Sequence, residues 1–142
     1  MIRPASLTRL PDWHPRLASY LARVMRRAFR PGSHDCVLFA AGAVEALTGA
    51  DLAAEFRGTY RTLAEGQEVL AARGFADHIA LVESLFEPVA PALAQVGDLA
   101  VVSSDEDARG ALGVFQGAGV YVLRPSGLAV VDRLAAREAF SV

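Results

Sequence analysis

The hydrophobic pattern changes period once, near Pro88 and Pro91, and that change constrains the fold more than any other feature. Before it, apolar residues recur at steps of three and four, the spacing of one helix face. After it come four short β-rich runs, Leu99 to Val102, Leu112 to Gln116, Val120 to Leu123 and Leu128 to Val131. Ser103-Ser104-Asp105, Gly117-Ala118-Gly119 and Pro125-Ser126-Gly127 separate them, and such clusters mark turns. Closely spaced hairpins make an antiparallel meander or, if curled, a partial barrel. Helices first and strands after predict an α+β fold, with an N-terminal helical half packed on one face of a C-terminal sheet. A chain of 142 residues is long enough for one domain with a real core.

In the helical half, Pro4 to Trp13 reads as an irregular arm. His14-Pro15 starts a helix with proline at its first position, where the missing N–H costs nothing. From Pro15 to Arg30 the pattern is amphipathic: Leu17, Tyr20, Leu21, Val24 and Ala28 share one face, and Arg16, Arg23, Arg26, Arg27 and Arg30 line the other. That arginine face is either solvated or a docking surface for phosphate, lipid or an acidic protein. Residues 1–30 hold seven arginines against Asp12 alone, whereas the remaining residues hold seven against fifteen acids. The acidic body, and the absence of aromatics interleaved with the arginines, argue against nucleic acid. Two parts follow within one globular unit, residues 1–31 as arm and arginine helix and residues 32–142 as the α+β body.

Pro31-Gly32 turns the chain into the stretch that carries its only cysteine. Ser33 or Asp35 can cap the next helix, and Cys36, Ala40, Ala43 and Leu47 fall on one stripe before Gly49 closes it. A cysteine in a helix's first turn feels the positive end of the dipole, which favours thiolate. Cys36 is therefore a candidate nucleophile; the alternative is a small buried apolar residue. Asp51 caps a short turn through Phe56. Thr62 caps a third helix running to about Arg73, with Leu63, Val69 and Leu70 inward. Phe75 to Phe86 forms a fourth helix, and His78 sits beside its apolar stripe, as a structural histidine or a base. His34 and Asp35 are the titratable groups nearest the cysteine. One cysteine excludes an internal disulfide, and His14, His34 and His78 lack metal-ligand spacing, so neither metal nor cofactor is expected.

Asp35-Cys36-Val37-Leu38-Phe39-Ala40 opening a helix, then Val96-Gly97-Asp98-Leu99-Ala100-Val101-Val102 opening a sheet, resembles the NlpC-type papain-like cysteine peptidases. Thr48-Gly49-Ala50-Asp51, Gly58-Thr59-Tyr60, Leu112-Gly113-Val114-Phe115 and Gly127-Leu128 are similar to a phage and gene-transfer-agent branch of that superfamily, whose small members are encoded among tail genes. The resemblance covers about residues 32–142. It implies a papain-like fold with Cys36 as nucleophile and a general base on the strand around Gly113-Val114. There the chain departs from the family: Ala111 stands where the resemblance places the catalytic histidine, and no histidine follows His78. Cleavage of a peptide needs a proton donor for the leaving amine. His34 or His78, with Asp35 as a further base or orienting candidate, would have to supply it.

Two functions follow from the resemblance. One is a catalytically degenerate tail-tip component, structural or in contact with peptidoglycan, docked to other virion proteins through the arginines. The other is an active cysteine amidase that cuts peptidoglycan peptides as DNA enters the cell. The N-terminus shows no secretory signal, because Pro4 and Arg9 interrupt any apolar run. No stretch nears the ~20 apolar residues of a membrane span. The expected location is a virion assembled in the bacterial cytoplasm, with no membrane insertion.

Overall fold

The computed structural model describes residues 7–142. Among them are four α-helices and one six-stranded antiparallel sheet, the α+β arrangement expected from the change of period. Helix α1 spans Trp13–Val24, α2 Cys36–Thr48, α3 Leu63–Ala72 and α4 His78–Leu85. The strands are β1 Glu87–Val89, β2 Leu99–Val102, β3 Ala111–Phe115, β4 Gly119–Arg124, β5 Gly127–Asp132 and β6 Ala136–Ser141.

Helix α2 is the axis of the helical half. Leu38, Phe39, Ala40, Ala43, Val44, Ala46 and Leu47 are all buried, so the helix is apolar on nearly every side, as a central helix must be. It packs between α1 and β3. Asp35 is the cap that forms, its Oδ1 accepting from the Leu38 N–H at 3.0 Å. Gly49, at φ 82°, ends the helix and donates to the Glu45 carbonyl at 2.7 Å. Gly42 lets α1 cross closely: a Cβ there would lie 2.2 Å from Tyr20 Oη, which donates to the Phe39 carbonyl at 2.8 Å.

Helix α1 is shorter than its pattern predicts, and this corrects the single arginine face. It buries Leu17, Tyr20, Leu21 and Val24 but ends at Val24, with Pro15 as its third residue. The following backbone is taken by the β4–β5 hairpin: the Met25 carbonyl accepts from Leu128 at 2.9 Å and Phe29 donates to Pro125 at 3.1 Å. Arg26, Arg27 and Arg30 therefore leave the helix, and only Arg16 and Arg23 remain on it. Arg16 is half-buried and gives its Nε to the Ala46 carbonyl at 2.7 Å near the C-terminus of α2. It is an internal fastening, as suits a cation at that end of a helix.

The arm ahead of α1 is irregular but stapled down; residues 4–6 of it lie outside the described residues. Leu7 is fully buried, and Leu10 donates to the Leu47 carbonyl at 2.8 Å. Arg9 reaches the carbonyls of Val142 and Val96 at 2.9 and 2.8 Å and the Asp98 carboxylate at 3.0 Å. Asp98 in turn accepts from the Gln95 and Val142 N–H groups. The Gly97-Asp98-Leu99 turn thus joins both ends of the chain. Buried side chains from α1, α2, α4 and one face of the sheet form one cluster.

Thr62 caps α3 as expected, but Leu63 is 43% exposed rather than turned inward. Helix α4 starts three residues later than its pattern because Asp77 caps it, accepting from Ala80 at 2.7 Å. The sheet runs β1-β6-β2-β3-β4-β5. Its meander from β2 to β5 matches the turn signals, whereas β1 and β6 were not foreseen. Alternate residues divide between two cores: Leu99, Val101, Leu112 and Val114 face the helices, and Ala100, Val102, Phe115, Val120 and Val122 face the other way. Arg133, just past β5, donates to carbonyls of Pro91 and Ala94, just past β1, and lies 4.7 Å over Phe115. It draws the two edges of this open sheet together and so curls it.

Candidate active-site cleft

A cleft of about 150 Å³ opens beside the start of α2. Its lining includes Cys36 and Val37 at the start of α2, Leu63 and Leu70 of α3, and His78 and Leu81 of α4. Asp107, Gly110 and Ala111 also line it, as do Tyr60 and the hydrogen-bonded pair Phe29 and Pro125. Its surroundings are mostly apolar, with a few converging polar groups, which is the general character of a ligand site.

Cys36 is the first residue of α2 and half-buried. Burial pushes its thiol up to about 12, opposed by a backbone hydrogen bond from Leu112 and reinforced by the carboxylates of Asp35 and Asp107. This runs against the direction expected from the helix dipole. The dipole acts at the helix start, but desolvation and two nearby negative charges outweigh it.

Asp35 is buried and saturated, which removes it as a base. Its Oδ1 caps α2, while Oδ2 accepts from the Gly32 N–H at 3.0 Å and from the Tyr60 hydroxyl. Tyr60 is held above its ordinary range by burial and by this carboxylate.

His34 is buried and does not line the cleft. Its backbone pairs with Arg30 through two 2.8 Å hydrogen bonds, and its ring stands edge-on to Phe39 at 6.3 Å. Among the described residues its Nε2 finds no hydrogen-bond partner. Burial, then the charge of Arg27, keep its pKa below the ordinary value, with Asp35 opposing. The ring lies outside the cleft that Cys36 lines.

His78 does share the cleft with Cys36. As the first residue of α4 it is buried, its Nε2 lies 2.7 Å from the Gly110 carbonyl, and its Nδ1 lies 3.7 Å from Asp107. A carbonyl only accepts, so Nε2 carries the proton and donates it. Arg109 fixes the same loop by binding Glu138 at 2.6 Å and Glu83 at 2.8 Å. Both ring nitrogens are thus directed to the loop of residues 103–110, and Ala111 beside it offers no replacement base.

Of the sequence-derived candidates, Cys36, Asp35 and His78 meet at this cleft and His34 does not. Tyr60 and Asp107 were missed as cleft residues. Gly58-Thr59-Tyr60 reads as a connector, and the turn read at Ser103-Ser104-Asp105 extends to Gly110. Among the described residues, no helix is long and apolar enough to cross a membrane, and no group of His, Cys, Asp or Glu could hold a metal ion. No curated protein matches this chain. A family model does match it over residues 8–142, from the stapled arm to the last residue, and the chain accordingly belongs to the family described as a domain of unknown function (DUF6950).

Proposed function

We propose that this chain is a catalytically silent NlpC-like domain of a phage-type tail tip, whose cleft beside Cys36 holds a peptide without cutting it. The observation that carries the reading is where His78 points: Nε2 donates to the Gly110 carbonyl and Nδ1 faces Asp107 at 3.7 Å, so both ring nitrogens are turned to the loop of residues 103–110, and burial at the same time pushes the Cys36 thiol up. A thiol of this kind lacks an activating base, and the leaving amine lacks an acid; such help is typically worth ~10²–10⁴ in rate. The apolar walls remain suited to binding, and the tail assignment rests on the motif resemblance. One observation favours the active amidase as a second reading. His78 and Asp107 stand together beside Cys36, and a shift of the loop would turn that pair into a base and its orienting group.

The test uses purified protein with peptidoglycan sacculi and synthetic wall peptides, wild type beside Cys36→Ala. Retention on sacculi by both proteins, with no released fragments, is the expected result. Fragment release by wild type that Cys36→Ala abolishes would establish the second reading. Absence of retention by either protein would remove the wall-contact role.

A further inference from the structure

Eight of the thirteen described arginines donate a side-chain hydrogen bond within the chain, and Arg23 lies 5.7 Å from the Tyr20 ring centroid. The four others, Arg26, Arg30, Arg61 and Arg124, are all exposed and show neither kind of contact among the described residues. They come from three separate parts of the sequence, yet the fold brings the backbone segments that carry them together, next to residues that line the cleft. Arg30 follows Phe29, Arg61 follows Tyr60 and Arg124 precedes Pro125, and those three neighbours line the cleft. The Phe29 N–H donates to the Pro125 carbonyl at 3.1 Å. Tyr60 meets Gly32 so closely that a Cβ there would lie 1.8 Å from the Tyr60 carbonyl oxygen. Gly127, paired in register with Arg124, lies against Arg26, whose Cα would be 3.1 Å from a Cβ at position 127.

Like charges left unneutralised in one place repel each other and create a local positive field. The lining at the loop of residues 103–110 carries the opposite sign, through Glu106 and Asp107. The cleft lining itself holds the carboxylates of Asp35, Glu106 and Asp107, and these four arginines lie outside it, next to Phe29, Tyr60 and Pro125. Resting on the binding-cleft reading, we infer that Arg26, Arg30, Arg61 and Arg124 form a rim that selects an acidic peptide segment. An apolar side chain of that segment enters the cleft, and its carboxylates lie over the arginines. A protein segment fits better than nucleic acid. The chain has a net charge of −2, and the aromatics next to these arginines, Phe29 and Tyr60, are half-buried and buried rather than presented for base stacking.

The experiment selects a randomised dodecapeptide pool on three immobilised proteins and sequences the survivors. The proteins are wild type, a rim variant with Arg26→Gln, Arg30→Gln, Arg61→Gln and Arg124→Gln, and a cleft variant, Leu63→Asp. Leu63 is exposed and opens α3, where a carboxylate suits the helix start, so the cleft variant keeps its fold. Wild type is expected to enrich Asp and Glu next to Leu, Ile or Phe. The selected peptides should bind the rim variant about tenfold more weakly, consistent with loss of several exposed charge pairs. Apolar peptides selected without acidic preference, and lost in Leu63→Asp, would overturn the rim while leaving the binding cleft in place. Selection by wild type no different from Leu63→Asp would overturn both. A random single-stranded oligonucleotide that binds more tightly than the selected peptides would replace the protein partner with nucleic acid.

Discussion

Asp35 serves three donors with two oxygens: the Leu38 N–H, the Gly32 N–H and the Tyr60 hydroxyl. Removing the carboxylate leaves these groups without their partner in a buried place. Asp35→Ala should cost about 3 kcal/mol, summing a lost cap and a desolvated hydroxyl, and denaturant unfolding measures it. A loss below about 1 kcal/mol would mean that water reaches these groups. The cap was legible in the sequence as a choice between Ser33 and Asp35, because either side chain stands just before an apolar helical run. The bond of Asp35 to Tyr60 was not, since that pairing spans twenty-five residues and depends on how the Gly32 turn folds back. His34 makes the opposite case, a polar ring with a buried nitrogen unmatched. Its folded pKa is lowered, so the unfolded chain binds more protons once pH falls below about 6.5, and stability declines there. Above that pH the contribution is complete. His34→Phe should flatten the fall in Tm between pH 7 and pH 5, and an unchanged profile would show that another group causes it.

At the scale of elements, the sequence pattern located α2, α3 and the strands β2 to β5 because each combines its own periodicity with a stop signal. Where an element depends on a distant partner the pattern fails. Helix α1 looks continuous to Arg30, yet the β4–β5 hairpin takes its backbone from Met25 onward. Strand β6 reads Ala-Arg-Glu-Ala-Phe-Ser, with no β-branched residue, and exists because Leu99 pairs with Phe140 and Ala100 with Ala139. Strand β1 contains a proline and survives at the sheet edge, where a missing N–H is tolerated. The contact of α1 with α2 is set by one glycine. Gly42→Ala should force Tyr20 out of place and cost about 1–3 kcal/mol, as overpacking does. Combining it with Tyr20→Ala should cost less than the two changes summed, because the collision is then gone. Additive costs would contradict a direct collision.

The whole molecule is closed by two arginines that join distant parts of the chain. Arg133 draws the sheet edges together, and Arg9 ties the N-terminal arm to Asp98 and the last residue. Arg9→Ala leaves the Asp98 carboxylate, 5% exposed, without its cation, so a loss of about 3 kcal/mol is expected in thermal or denaturant unfolding. A change near zero would show that the arm adds nothing to the domain. The cleft is assembled separately, by the packing of β3 on α2 and by Arg109, which holds the loop of residues 103–110 to Glu138 and Glu83. The sequence located the cysteine, and its resemblance to a peptidase family drew attention to Ala111; neither revealed that His78 would share the cleft while bonded elsewhere. The central claim is that Cys36 holds its proton at neutral pH. The rate of iodoacetamide alkylation of the native protein from pH 6 to pH 11, beside the urea-unfolded chain, tests this directly. A native rate far below the unfolded one and still rising at the top of the range is expected, while the unfolded thiol is half-titrated at about pH 8.5 and levels off above about pH 10. A native rate already at its plateau near pH 7 would reveal a thiolate and rule out a cleft that is silent because Cys36 stays protonated.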